Sequence, residues 1–236
     1  MMKKFLIGLI AIVALPCTAW ADDAFNQFIP KGFKLLETHC QADFNKDGKK
    51  DCVLLIKDTK RSAWEMSSAD KLVDRNRRGV VILFKTNQGY KKVLENKAIF
   101  ASENEEGGVY FAPELEIIAK NHQLKFSYGH GRYGSWDYTF DYRTINGVRD
   151  FYWIGYDSFN NTGPYIDYTQ SVNFLTHKYR HQKNLAKDET AEPKFKSTWF
   201  NLPKKPILRL VEISDIDEVG ISLANQLYEV GKPDEQ

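Results

Sequence analysis

The segment from Cys40 to Cys52, CQADFNKDGKKDC, constrains the fold of this chain more than any other. Side chains that carry oxygen recur in it at alternating or near-alternating positions: Asp43, Asn45, Asp47 and Asp51. Calcium takes about six to eight oxygen ligands, and a short loop supplies them when positions 1, 3 and 5 point inward. The segment therefore predicts a calcium loop.

The remaining positions of the loop decide which kind of calcium loop it is. Gly48 stands at position 6, where the chain must turn sharply, and the carbonyl of Lys49 is available at position 7. An EF-hand also needs a glutamate at position 12 and a helix on each side, but position 12 is Leu54 and both flanks are strand-like. We expect a loop between two strands. The alternative is a solvated turn of the same residues without a metal.

The pattern DFNKDGKKD at residues 43–51, followed by an apolar strand at 53–56, resembles the calcium loop of FG-GAP and VCBS repeats, as in the integrin α-chain propeller. The resemblance covers about residues 33–58 and occurs once, since the nearest echo at 142–150 lacks the acids at positions 1 and 3. A propeller needs several blades, so the resemblance does not extend to the whole chain. It implies these calcium ligands: Asp43, Asn45, Asp47 and Asp51, with the carbonyl of Lys49.

The amino terminus has the pattern of a secretory signal peptide. A basic start is followed by an apolar run at residues 5–15 and an A-x-A site that ends at Ala21. We expect residues 1–21 to be cleaved after Ala21 and the mature protein to be periplasmic or secreted. Cys17 would leave with the signal, and Cys40 and Cys52 would remain as an even pair in an oxidising compartment. They are predicted to form a disulfide, the alternative being two buried free thiols.

The charge balance excludes one class of partner. The chain has 33 basic and 31 acidic residues, and removal of Lys3 and Lys4 with the signal leaves 31 of each. A nucleic-acid-binding surface needs a basic face, so nucleic acid is not expected as a partner. No later apolar run is long enough to span a membrane.

Hairpin signals predict a mainly β fold of antiparallel hairpins that form a sheet, a sandwich or a partial propeller-like array. The clearest is Asn146-Gly147 between alternating runs at 136–144 and 148–157. Further strands are expected at 79–84, 90–94, 114–119, 123–128 and 165–175. Residues 22–183 would form the β-rich domain. Within it, we interpret 60–78 as a surface loop, and 177–183 as the start of a linker.

The carboxyl-terminal part, residues 184–236, is predicted to contain a linker, a last strand at 206–213 and an amphipathic helix that packs on the same domain. The helix is indicated by apolar residues at helical spacing: Ile216, Val219, Leu223, Leu227 and Val230.

A second unusual stretch, GHGRYGSW at residues 129–136, contains three glycines. A phosphate loop would need a helix directly after it, and a strand follows instead. The stretch is either a structural bulge loop or a ligand-contact loop. For the second case the candidate ligand-binding residues are His130, Arg132, Tyr133, Trp136 and Tyr138.

No catalytic motif accompanies these features. The chain lacks a G-x-S-x-G elbow, and His177 and His181 have metal spacing only if they lie on a helix. The leading hypothesis is an exported, calcium-binding interaction module with a protein or glycan partner in the cell envelope. The alternatives are a periplasmic inhibitor or immunity protein against a toxin or hydrolase, and an enzyme that acts on cell wall or carbohydrate.

Overall fold

The computed structural model describes residues 24–104, 112–131, 134–163, 165–186 and 192–231. The predicted signal peptide lies outside these residues. The prediction of a mainly β, antiparallel fold with a carboxyl-terminal helix is confirmed. In chain order the elements are β1 (Phe33–Ala42), β2 (Asp51–Asp58), β3 (Trp64–Met66), β4 (Leu72–Asp74), β5 (Arg78–Thr86), β6 (Gly89–Phe100), β7 (Glu114–Lys120), β8 (Gln123–His130), β9 (Gly134–Ile145), β10 (Val148–Thr162), β11 (Tyr165–Asn173), β12 (Lys178–Asn184), β13 (Phe195–Asn201) and α1 (Ile216–Gly231).

The first sheet has four strands in the order β1-β2-β5-β6. Its central strands, β2 and β5, are buried on both faces and are therefore apolar almost throughout. On β2, Val53 and Leu55 belong to the main core, whereas Leu54 and Ile56 pack with Phe25 from the segment that precedes β1. The period of two along a strand places these two sets on opposite faces.

The second sheet is a meander of seven strands, in the order β13-β12-β11-β10-β9-β8-β7. Its β9–β10 hairpin turns at Asn146 and Gly147, as predicted, and both residues have positive φ (+49° and +80°). Aromatic contacts join the two sheets. The rings of Phe84 and Tyr142 lie 4.9 Å apart, and other rings extend this core along β8 and β10.

The seven-stranded sheet is wider than the four-stranded sheet. Helix α1 packs against the part of the wider sheet that the four-stranded sheet does not cover. Its buried residues, Ile216, Leu223 and Leu227, share one core cluster with residues of β10 and β12. Asp215 precedes the helix, and its Oδ1 accepts a hydrogen bond from the N–H of Asp217 at 2.9 Å. The observed helix agrees with the predicted one to within one residue at each end.

Three stretches differ from the sequence interpretation. Residues 177–183 were predicted to start a linker, but Lys178–Asn184 form β12, and residues 64–74 contain the β3–β4 hairpin within the expected surface loop. The last strand is β13 and not 206–213. That segment makes one bridge, between Tyr152 and Arg209, followed by a 3₁₀ turn at Leu210–Glu212. Strands this polar have little apolar alternation, and they form because neighbouring strands supply their hydrogen bonds.

Within the described part of the chain, no helix combines the length and the apolar character needed to cross a bilayer.

Candidate functional site

The β1–β2 hairpin carries the predicted disulfide. The pairing register shifts near the end of β1, so that Cys40 and Gln41 stand opposite the single residue Cys52. This is the geometry of a β-bulge, which bends the strand as it enters the loop. The Cys40–Cys52 bridge is present, with its two Cα atoms 4.1 Å apart. The loop at 43–50 is therefore closed covalently at its base.

Three of the predicted ligands fold inward onto the backbone of the loop. Asp43 accepts hydrogen bonds from the N–H groups of Asp47 (3.1 Å) and Gly48 (2.9 Å). The Oδ1 of Asn45 accepts from the same Asp47 N–H at 3.0 Å, and the Oδ1 of Asp47 accepts from Lys49 N–H at 2.9 Å. Gly48 has φ +85°, which glycine adopts without steric cost. The sequence spacing thus produces a loop whose side-chain oxygens fold onto its own backbone N–H groups.

The carboxylate of Asp51 lies deeper than the other three side chains. The residue is fully buried, and its two oxygens accept hydrogen bonds from the N–H groups of Phe44 and Lys85, each at 2.9 Å. Burial raises the pKa of Asp51 above its ordinary value, and these N–H groups oppose that shift. The negative charge of Asp47 raises the pKa of Asp51 a little further.

Asp47 behaves in the opposite way. Its pKa is lowered, first by the hydrogen bond from the backbone N–H of Lys49. No ion pair between Asp51 and a cationic side chain occurs among the described residues. The loop therefore combines an ionised carboxylate near its surface with a buried carboxylate whose charge is balanced only by N–H dipoles.

Phe44, between two of the polar positions, attaches the loop to the second sheet. Its ring is fully buried and meets Phe151 of β10 edge to face, with centroids 5.1 Å apart. Sequence reasoning did not identify Phe44. The available signal was a single large apolar residue inside an otherwise polar loop.

Backbone contacts reinforce this attachment. The N–H of Asp43 donates to the carbonyl of Asn121, in the β7–β8 turn, at 2.9 Å, and the ring of His122 contacts the carbonyl of Asp43. The guanidinium of Arg149 donates to the carbonyl of Asn45 at 3.3 Å. Any ion that orders the loop would consequently also order the junction between the two sheets.

The donor chemistry fits a hard cation such as calcium, because every predicted ligand offers oxygen. Asp43 and Asn45 share the N–H of Asp47, and the Nδ2 of Asn45 donates to the Oδ2 of Asp47 at 3.3 Å. Asp51 is engaged by Phe44 and Lys85. The structure does not gather three or more His, Cys, Asp or Glu side chains of the described residues into a cluster that could hold a metal. The carbonyl of Lys49 remains a predicted ligand.

The second predicted site is dispersed. Arg132 and Tyr133 lie outside the described residues. His130 is buried, and Tyr138 is 2% exposed and belongs to the core. Trp136 is half-buried and stacks on Tyr128, with ring centroids 5.5 Å apart and planes at 12°. Of the described candidates, Trp136 is the one with a face available beside α1.

No protein-family model, curated protein or solved structure matches this chain. Its class is defined by the fold and the loop: an antiparallel β protein with two packed sheets, a flanking helix and a disulfide-closed loop of oxygen donors.

Proposed function

We propose that this chain is an exported binding module whose first hairpin is held by a structural calcium ion. The observation that carries the proposal is the fully buried carboxylate of Asp51, which lies beside an inward-folded loop of oxygen donors and has no cationic side chain of the described residues in an ion pair with it. The resemblance of residues 43–51 to FG-GAP and VCBS loops supports calcium as the ion.

The ion would be held by the oxygens of Asp43, Asn45, Asp47 and Asp51 and by the Lys49 carbonyl. It would supply positive charge to a loop that contains three carboxylates. Its role would be structural, because the loop is attached through Phe44 to the second sheet and to no reacting group.

Export is supported by two independent features, the signal-peptide pattern at residues 1–21 and the Cys40–Cys52 disulfide, which persists in oxidising compartments. A binding role is favoured because concave surfaces flank α1 and no catalytic motif is present in the sequence. The partner would be a protein or a glycan of the cell envelope. The inhibitor and enzyme hypotheses stay predictions.

A thermal melt of residues 22–236 in calcium and in a chelator tests the metal. At about 10 mM calcium, and with the roughly 10⁻⁴ M dissociation constant typical of extracellular modules, binding should add about 2.7 kcal/mol to the free energy of unfolding. For a chain of this size that corresponds to a rise in Tm of roughly 5–11 °C. The absence of any shift at millimolar calcium would contradict the proposal.

A double variant separates the ion from the fold of the loop. Asp43→Asn with Asp47→Asn removes two charges that calcium needs. The amide at 47 keeps an oxygen for the N–H of Lys49 and the amide at 43 keeps one for the N–H of Gly48, while the N–H of Asp47 still has the Oδ1 of Asn45 as acceptor. The calcium-dependent rise in Tm should disappear, while the melt in chelator changes little. Asp70→Asn is the matched control, because Asp70 lies in another exposed turn with positive φ (+55°). This control should keep the full calcium response.

A further inference from the structure

Helix α1 leaves one flank of the seven-stranded sheet uncovered. Two cavities of about 460 Å³ and 280 Å³ lie along this flank and meet at Ala224, which lines both. We call the combined depression the aromatic groove. Its sheet side is formed by Trp136, Tyr156, Tyr168, Tyr179, His181 and Phe200.

The register of the strands explains why aromatic rings line this groove. Tyr156, Tyr179 and Phe200 lie on one cross-strand row, since Tyr156 and Tyr179 both pair with the same residue of β11 and Tyr179 pairs with Phe200. Tyr179 and Phe200 stack with centroids 5.3 Å apart, and the rings of Tyr168 and His181 lie 5.4 Å apart. The rings support one another and form preorganised flat surfaces.

The helix side of the groove is shallow because it carries small residues. Gly220 and Ala224 lie one turn apart on the same face of α1, and Tyr228 follows one turn later. Glycine inside a helix is less stable than alanine by about 0.5–1 kcal/mol. Here it is required, because a Cβ at Gly220 would lie 2.2 Å from the hydroxyl oxygen of Tyr138.

The polar groups of the groove are neutral and already oriented. The amide nitrogen of Gln170 donates to the hydroxyl of Tyr179 at 2.7 Å, and the hydroxyl of Ser158 donates to the amide oxygen of Gln170 at 3.2 Å. The Tyr179 hydroxyl accepts a hydrogen bond and so retains its own proton for donation. Burial raises the pKa of Tyr179 and lowers the pKa of His181, so both are uncharged at pH 7.

The charge pattern narrows the class of ligand. Among the residues that the structure describes, the larger cavity is lined by no Asp, Glu, Lys or Arg, and the smaller one has Asp217 as its charged residue. An anionic ligand would find no counter-charge there and would be repelled at one end. A purely apolar ligand would offer no acceptor to the O–H of Tyr179 or to the second amide N–H of Gln170.

We propose that the aromatic groove binds a neutral oligosaccharide. A sugar ring has a C–H face that packs on Tyr, Trp and Phe rings, and its hydroxyls pair with neutral amide, imidazole and phenol groups. Two cavities joined at Ala224 suit consecutive sugar units of a chain. This inference rests on the proposed role as a binding module and does not depend on calcium.

Calorimetric titration of residues 22–236, in calcium, with cellohexaose, maltohexaose and chitohexaose tests the groove. Saturable binding of at least one of the three is expected. Tyr228→Ala removes a ring that is 68% exposed, and Ala224→Gln adds bulk at an exposed helical position where the two cavities meet. Each should weaken binding by about tenfold or more, about 1.4 kcal/mol, while Tm stays close to that of the wild type.

Trp199→Ala is the matched control. Trp199 is 63% exposed on the opposite face of the same sheet, because it is the neighbour of Phe200 on β13. This variant should bind as the wild type does. Failure of all three sugars to bind, or equal binding by the groove variants, would overturn the proposal. Binding of tetramethylammonium without the sugars would also overturn it, in favour of an aromatic cage for cations.

The two proposals fail separately. A calcium-dependent rise in Tm without sugar binding would contradict the groove proposal alone. Sugar binding by a protein whose Tm does not change with calcium would contradict the calcium proposal alone.

Discussion

Strand β2 carries two fully buried charged residues, Asp51 at its start and Lys57 just before its last residue, and the two are stabilised differently. At its start, Asp51 accepts hydrogen bonds from backbone N–H groups alone. Near its end, Lys57 lies 3.2 Å from a carboxylate oxygen of Asp74 and 2.6 Å from one of Glu103, and it also donates to the carbonyl of Asp74. The charge of Lys57 is thus balanced by two carboxylates of the fold, whereas the charge of Asp51 is stabilised by the dipoles of backbone N–H groups.

The donor and acceptor capacity of each group shows what this difference means. An ammonium has three N–H donors, and Lys57 has three acceptors within reach, so its environment is complete. A carboxylate has about four acceptor sites, and Asp51 accepts from the N–H groups of Phe44 and Lys85, with the N–H of Asn45 as a third backbone partner. The free energy cost of burying an unbalanced charge is several kcal/mol. A divalent ion is thus expected at the Asp51 end of β2 and is not needed at the Lys57 end.

The largest expected effect is at the Lys57 end. Lys57→Met removes the ammonium from the carboxylates of Asp74 and Glu103, which keep more distant partners in Lys34 (4.0 Å) and Arg78 (3.7 Å). Breaking a buried pair in this way costs about 3–5 kcal/mol, and we expect the lower end because Glu103 is half-exposed. Urea unfolding measures the loss, and the calcium increment should be unchanged.

Lys60→Met is the control for Lys57→Met, since Lys60 pairs with Asp58 but is 73% exposed. Its effect should stay within about 0.5 kcal/mol. Equal effects of the two substitutions would contradict the view that the Lys57 pair is structurally required.

An intermediate effect is expected from removal of the disulfide. Cys40→Ser with Cys52→Ser opens a short closed loop, and the chain-entropy model gives a loss of about 3 kcal/mol. Calcium should also bind more weakly, because the ion must then order a loop that the bridge otherwise constrains. Guanidinium unfolding with and without calcium measures both quantities. A cysteine-free protein with the full calcium response would show that the bridge does not preorganise the loop.

The smallest effect is expected at Asp51 itself. Asp51→Asn keeps the shape of the side chain but turns an NH₂ group toward backbone N–H donors. One of these donors loses its acceptor, which costs about 1–3 kcal/mol. Melts in chelator measure this loss, and melts in calcium should show no added stabilisation. Asp58→Asn, at the other end of β2, should retain the calcium response. If Asp51→Asn also retains it, Asp51 is not a ligand.

Local features of the molecule could be predicted from the sequence because neighbouring residues produce them. The Asn146-Gly147 turn lies between the strands that its flanking runs predicted, and the apolar spacing after Asp215 gives the helix. The disulfide could be predicted since both cysteines belong to one hairpin. Polar strands such as β12 were not predicted, because they lack apolar alternation and form through hydrogen bonds to the neighbouring strands β11 and β13.

The sequence by itself determined a loop of oxygen donors between two strands, the pairing of its two cysteines, and a β-rich chain that ends in an amphipathic helix. Tertiary structure alone decided that Phe44 docks on Phe151, that the carboxylate of Asp51 meets the backbone of β5, and that α1 leaves an aromatic groove. The physical reason is the separation along the chain over which each interaction acts. Turn chemistry and periodicity act over a few residues, whereas burial, register and ring contacts join residues that are far apart in the chain.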